Sequence, residues 1–240
     1  MSAVKSNQKA EVLRAKGCLS LQSGQLYEAL LKLNKSLCLV EPNSKIAALI
    51  CANRAEVYFR LKLYDKCLNN IELSREAFDK EKIEYLDELE ENCLSHIDDV
   101  PIDTENPWEV FKLSHTAKKR LPYVIDSLEV KNDKKYGRFI ITNQPLKVGE
   151  IIAIEEPFFK ILKADPEDDE YPESNVYQYC ANCLSDNLMD LIPCSECLTT
   201  MFCSPKCRRA ANKGFHQYEC KILHTLNETG SWRMAIRCFF

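Results

Sequence analysis

The chain has 240 residues, of which 45% are hydrophobic and 28% charged, and it carries a formal net charge of -4. That balance belongs to a soluble globular protein rather than a disordered or membrane-embedded one, and it gives no global electrostatic attraction to nucleic acid. At roughly 100–200 residues per hydrophobic core, the length predicts two or three folding units.

The N-terminus, Met1 to Ala10, runs into a charged helical pattern and offers neither an apolar signal core nor an Arg/Ser-rich transit segment. No apolar run approaches the roughly 18 residues of a membrane span. An intracellular protein, cytoplasmic or nuclear, with no membrane partner is therefore expected.

From residue 8 to residue 94 apolar residues recur at helical spacing, with Gly and Pro nearly absent from the interiors. Two segments superpose at an offset of 38 residues: Gly17 on Ala55, Leu26 on Tyr64, Ala29 on Cys67, Leu33 on Ile71 and Ser36 on Ser74. Small residues fall where paired helices must approach, and Pro42 stands where a helix pair should stop. This pattern resembles tetratricopeptide repeats, with Lys82 to Leu94 as a capping helix.

Asp98 to Pro107 combines acids with two prolines and reads as a linker, within a boundary region at 95–122. After a further helical or irregular stretch come β-rich runs at Leu128–Val130, Arg138–Thr142 and Ile151–Glu155, in a unit spanning 123–164. Asp165 to Glu173 is a solvated acidic loop without the ligand spacing of a calcium site.

Thirteen cysteines in a reducing compartment are metal ligands where clustered and small core residues where scattered. Six are scattered (Cys18, Cys38, Cys51, Cys67, Cys93 and Cys238), and seven lie between Cys180 and Cys220. The clustered string is Cys180-x2-Cys183, Cys194-x2-Cys197, Cys203-x3-Cys207 and His216-x3-Cys220. Eight such donors make two tetrahedral zinc sites with no open position, so both ions would be structural. The x2 pairs form tight knuckles, and the x3 pairs are expected at i, i+4 on one helix face. A module over 180–220 is too small to fold on apolar burial alone, so zinc would supply much of its stability.

The string, with Phe202 before its fifth ligand and the His216-x3-Cys220 ending, resembles the MYND-type zinc finger. The resemblance implies interleaved ligation: Cys180, Cys183, Cys203 and Cys207 for one ion, Cys194, Cys197, His216 and Cys220 for the other. It also implies docking of short proline-containing peptides from protein partners. The nearby basic residues Lys206, Arg208, Arg209, Lys213 and Lys221 stand against one acid, Glu219. They read as a solvated face or one for an acidic partner, since no base-reading element accompanies them.

Tyr136-Gly137-Arg138-Phe139-Ile140, followed by Pro145 to Pro157, resembles the N-terminal portion of a SET domain. Helical repeats, a SET portion and an inserted MYND finger in this order resemble the tetratricopeptide-bearing branch of the SET and MYND domain-containing proteins. An α+β multidomain fold follows. The family implies S-adenosylmethionine-dependent methylation of a protein lysine, with Tyr136, Gly137 and Arg138 at the methionine end of the cofactor. Phe139 stands where the family often has a second glycine.

SET catalysis also needs an Asn-His-containing loop, and no Asn-His dipeptide occurs in this chain. Residues 221–240 read as the start of further SET helices. The expectation is thus the front part of a methyltransferase, with no catalytic residue of its own and no activity alone. The alternative is a non-enzymatic adaptor in which finger and repeats each hold a partner peptide.

Overall fold

A computed structural model describes residues 4–75, 80–96, 111–155, 157–162, 174–186, 188–228 and 232–238. The expected linker at Asp98–Pro107, the acidic loop at Asp165–Glu173 and the terminal Phe239–Phe240 lie outside the described residues. The fold is α+β, and it divides into one compact unit of Met1–Val100 with Phe159–Phe240 and a second of Pro101–Phe158.

The first unit begins with two helical hairpins. Helix α1 (Asn7–Gln22) packs on α2 (Leu26–Leu39), and α3 (Lys45–Arg60) on α4 (Tyr64–Arg75). Ser6 caps α1 through its side chain at Lys9 N, and Ser44 caps α3 at Ala47 N, so orphan amides at both starts are satisfied. The 38-residue offset extends to the turns: Gly24 (φ 76°) and Lys62 (φ 59°) both take the left-handed conformation that closes a helical hairpin. The superposed small positions lie in the packed interior of the hairpins. A Cβ on Gly17 would stand 3.0 Å from Leu33 Cγ, and Ala29, Ala55 and Cys67 are fully buried. Helix α5 (Lys80–Leu94) covers α3 and α4 with Leu86, Leu89 and Cys93.

Of the scattered cysteines, Cys38, Cys51, Cys67 and Cys93 are buried as expected of small core residues. Two depart from that expectation. Cys238 is exposed, and Cys18 is half-buried where the Arg14 guanidinium reaches its sulfur at 3.5 Å.

The second unit is built from two short hairpins. Strand β1 (Ala117–Lys118) pairs antiparallel with β2 (Leu121–Ile125), in a stretch expected to be helical or irregular. Strand β3 (Leu128–Asp133) pairs with β4 (Gly137–Thr142) in continuous register from Leu128↔Thr142 to Asp133↔Gly137. The β-rich run at Ile151–Glu155 is not a strand. It meets β2 through a single bridge, Val124↔Ala153, with Ile125 N donating to Ile152 O and Ile154 N to Tyr123 O.

Candidate metal centre

The finger belongs to the same compact unit as the helical hairpins. It contains β5 (Ile192–Pro193), β6 (Met201–Phe202), α6 (Pro205–Lys213) and α7 (His216–Glu219), followed by α8 (Leu223–Glu228) and α9 (Trp232–Arg237). Leu191, Met201 and Phe202 are fully buried in a core that also takes Cys38 and Leu31 from α2. Burying each such side chain is worth about 1.5–3 kcal/mol.

The eight Cys/His side chains gather into two groups. Cys180, Cys183, Cys203 and Cys207 form one and Cys194, Cys197, His216 and Cys220 the other, with the donor atoms of each within 4.8 Å of one another. The β5–β6 ladder explains the partition. Ile192 faces Phe202 and Pro193 faces Met201, so Cys194 leaves one end of the ladder and Cys203 the other. Ala181 N donates to Met201 O at 2.9 Å, which ties the Cys180–Cys183 knuckle to β6 and hence to the Cys203 end.

Cys203 and Cys207 do not share a helix face. Ser204 is the N-cap of α6, with extended backbone (φ -161°, ψ 160°), and its hydroxyl accepts from Cys207 N; Cys203 therefore lies outside the helix. His216 and Cys220 do follow a helical turn, since Cys220 caps α7 and its N–H donates to His216 O at 2.8 Å.

The geometry fits zinc. Tetrahedral ligation at a Zn–S distance of about 2.3 Å sets sulfurs about 3.8 Å apart. The sulfurs of Cys183 and Cys203, and of Cys203 and Cys207, are 3.6 Å apart, and those of Cys194 and Cys220 are 3.8 Å apart. His216 Nε2 stands 3.2 Å from the Cys194 sulfur and 3.8 Å from that of Cys197, while the Nδ1 atom is buried without a hydrogen-bond partner. Phe202 meets the His216 ring edge-on, with centroids 5.5 Å apart, and so fixes the plane of the imidazole.

Electrostatics point the same way. The hydrogen bond between Cys194 and Cys197 holds the Cys194 thiol well down and pushes the Cys197 thiol up, so the pair shares one proton. In the other group, burial raises Cys180 and Cys203. Crowded thiols, buried at Cys180, Cys194 and Cys197 and half-buried at the others, cannot all ionise without a counter-charge, and a divalent cation would provide it.

The finger's surroundings hold two features that the ligand string does not announce. The first is a polar seam to the hairpins. Asn34 Nδ2 donates to the carbonyl of Leu188 at 3.2 Å, the Tyr58 hydroxyl to that of Met189 at 2.9 Å and an Arg54 Nη to that of Leu191 at 3.1 Å. Lys66 pairs with Asp190 beside them. The second is a buried charge cluster. Glu219, 1% exposed, accepts from Arg233 at 2.9 Å and from Arg237 at 2.5 and 2.8 Å, and Arg237 also donates to the Lys160 carbonyl. Burial works to raise the Glu219 carboxyl, but the two guanidiniums outweigh it and hold it below the ordinary carboxylate range. Its signal in the sequence was its being the lone acid among basic neighbours. Those neighbours (Lys206, Arg208, Arg209, Lys213 and Lys221) are all exposed.

Tyr136, Gly137 and Arg138 stand together at the β3–β4 turn, and all three are exposed. Asp133 Oδ1 accepts from the backbone amides of Lys135 and Tyr136, which closes the turn, and Gly137 (φ 65°) takes the left-handed conformation the turn requires. No atom lies within 4 Å of where a Gly137 Cβ would sit. These residues form an open edge and do not by themselves fit an enclosed S-adenosylmethionine site.

The sequence profile of the MYND finger matches residues 180–220. The protein-lysine N-methyltransferase SMYD4 of Danio rerio is 24% identical over 246 residues, covering 92% of this chain and 30% of its own length. A SET and MYND domain-containing protein of Dictyostelium discoideum is 25% identical over 102 residues, covering 42% of this chain and 23% of its own. The chain is thus similar to SET and MYND family proteins over most of its length and carries a MYND finger. It spans less than a third of the length of either relative. No solved structure matches it. Among the described residues, no helix is long and apolar enough to cross a membrane.

Proposed function

We propose that this chain is the zinc-stabilised docking section of a SET/MYND-type protein-lysine methyltransferase that uses S-adenosylmethionine, and that it transfers no methyl group alone. The observation that carries the reading is the pair of four-donor groups in a MYND finger, within a chain similar over 92% of its length to a protein-lysine N-methyltransferase. Cys180, Cys183, Cys203 and Cys207 would hold one zinc ion, and Cys194, Cys197, His216 and Cys220 the other. With every position filled by protein, such ions shape the fold and leave no place for substrate. Their task is to hold a rigid surface for protein partners, built jointly by the finger and the helical hairpins. A lysine of a protein substrate would be methylated only by the complete enzyme, in the cytoplasm or the nucleus.

The open hairpin at Tyr136–Arg138 favours a second reading, a non-enzymatic adaptor. One experiment separates them. Fusing the chain to the remaining SET portion of the Danio rerio relative should restore methyl transfer from labelled S-adenosylmethionine to a protein lysine, while the chain alone gives none. Transfer by the chain alone contradicts the proposal, and a folded, zinc-loaded fusion that neither binds the cofactor nor transfers methyl groups favours the adaptor.

A further inference from the structure

Arg54 on α3 is 4% exposed, yet among the described residues it has no carboxylate partner. One Nη serves the Tyr58 hydroxyl at 2.7 Å and the Leu191 carbonyl at 3.1 Å, and Nε is buried with no acceptor at all. A guanidinium withdrawn from water without an opposite charge is strongly unfavourable. An anion beside it would relieve that cost, given room.

That room exists. Arg54 lines a cleft of about 470 Å³ between α2–α3 and the β5 edge of the finger, with apolar walls from Leu37, Val40, Ala47, Ile192 and Pro193. The volume falls in the range of sites that enclose a few side chains. The other charged lining residues are Lys5 and Arg208, and no acid contributes. Lys5 Nζ already donates to the carbonyls of Cys38 and Cys194, at 2.7 and 3.3 Å, while Arg208 is exposed at the rim. The cleft thus has largely apolar walls, and every charged residue that lines it is basic.

We propose that this cleft binds a short peptide segment of a partner protein, with an Asp or Glu carboxylate set against Arg54 and apolar neighbours on the walls. The inference rests on the docking role proposed above and names the chemistry of the partner. A singly charged carboxylate matches the one guanidinium that has no acidic partner among the described residues, whereas a phosphate would bring a second charge. Arg208 would draw the acidic segment in, with an attraction that weakens as salt rises.

The test is a titration of the zinc-loaded, 15N-labelled chain with acetyl-Leu-Asp-Leu-amide, with its Asn counterpart and with inorganic phosphate. The Asp peptide should shift the amide signals of Ala47 and Ile192 and the Nε signal of Arg54, saturating with a Kd of about 1 mM or tighter. The Asn peptide should bind at least about tenfold more weakly. Arg54→Met should abolish the difference between the two peptides. Ala47→Leu, which narrows the cleft and leaves the bonds of Arg54 in place, should weaken both, and zinc content and melting temperature establish that each variant is folded. Equal affinity for Asp and Asn peptides, no shift at the cleft at several millimolar, or displacement of the peptide by equimolar phosphate would overturn the proposal. Such a failure with two zinc ions bound and the fusion active would leave the docking reading standing.

Discussion

The hydroxyl of Tyr58, on α3, donates to the backbone carbonyl of Met189, 131 residues further along the chain, at 2.9 Å. The same hydroxyl accepts from the Arg54 guanidinium at 2.7 Å, so one oxygen links the helical hairpin, a buried cation and the entry to the finger. Leu188 and Met189 also pack on the hairpin core. Finger and hairpins are therefore one cooperative body. Tyr58→Phe should lower stability by about 1–2 kcal/mol, since it leaves a carbonyl and part of a guanidinium unpaired. The loss should be the same whether unfolding is followed by helical circular dichroism or by zinc release.

Gly17→Val tests the contact between α1 and α2. Valine would press on Leu33, whose side chain is fully buried and cannot yield freely. Overpacking of this kind costs about 1–3 kcal/mol. The helix preference of a non-glycine residue offsets less than about 1 kcal/mol of that. Urea denaturation should show a net loss of stability.

Glu219→Ala should be among the most damaging single changes. It strands the guanidiniums of Arg233 and Arg237, both less than 10% exposed, without their shared counter-charge. Breaking a buried ion cluster by removing one partner costs about 3–5 kcal/mol. The triple variant that replaces Glu219, Arg233 and Arg237 with apolar residues of similar volume should recover much of this loss in thermal denaturation.

Ser204→Ala removes the cap that holds the first turn of α6, where Cys207 sits. A lost N-cap costs about 1 kcal/mol. If that turn presents Cys207 to an ion, competition with a chromogenic chelator should show roughly fivefold weaker binding at one of the two sites.

Much of this architecture is legible in the sequence because it rests on periodic or locally spaced residues. The 38-residue repeat from Gly17/Ala55 to Ser36/Ser74 marks helix contacts, and these residues need only their immediate neighbours to be understood. The spacing of the eight Cys/His donors announces two clusters, but their partition depends on a ladder of two residue pairs, Ile192↔Phe202 and Pro193↔Met201. So short an element leaves no alternation to read. The helix face expected for Cys203 and Cys207 failed because Ser204 and Pro205 are a helix start, and a start places the preceding residue outside. The seam of Asn34, Arg54 and Tyr58 was hidden for a different reason. These side chains recognise backbone carbonyls more than 130 residues away, and a carbonyl carries no residue identity.

The most direct test is the metal content of the purified chain after washing with a mild chelator, read by plasma mass spectrometry. The account predicts two zinc ions per chain, and one per chain in Cys203→Ser, with full removal by strong chelation melting the finger and loosening α3 together. Fewer than two ions in the unaltered chain, or an intact finger after the metal is stripped, would contradict it.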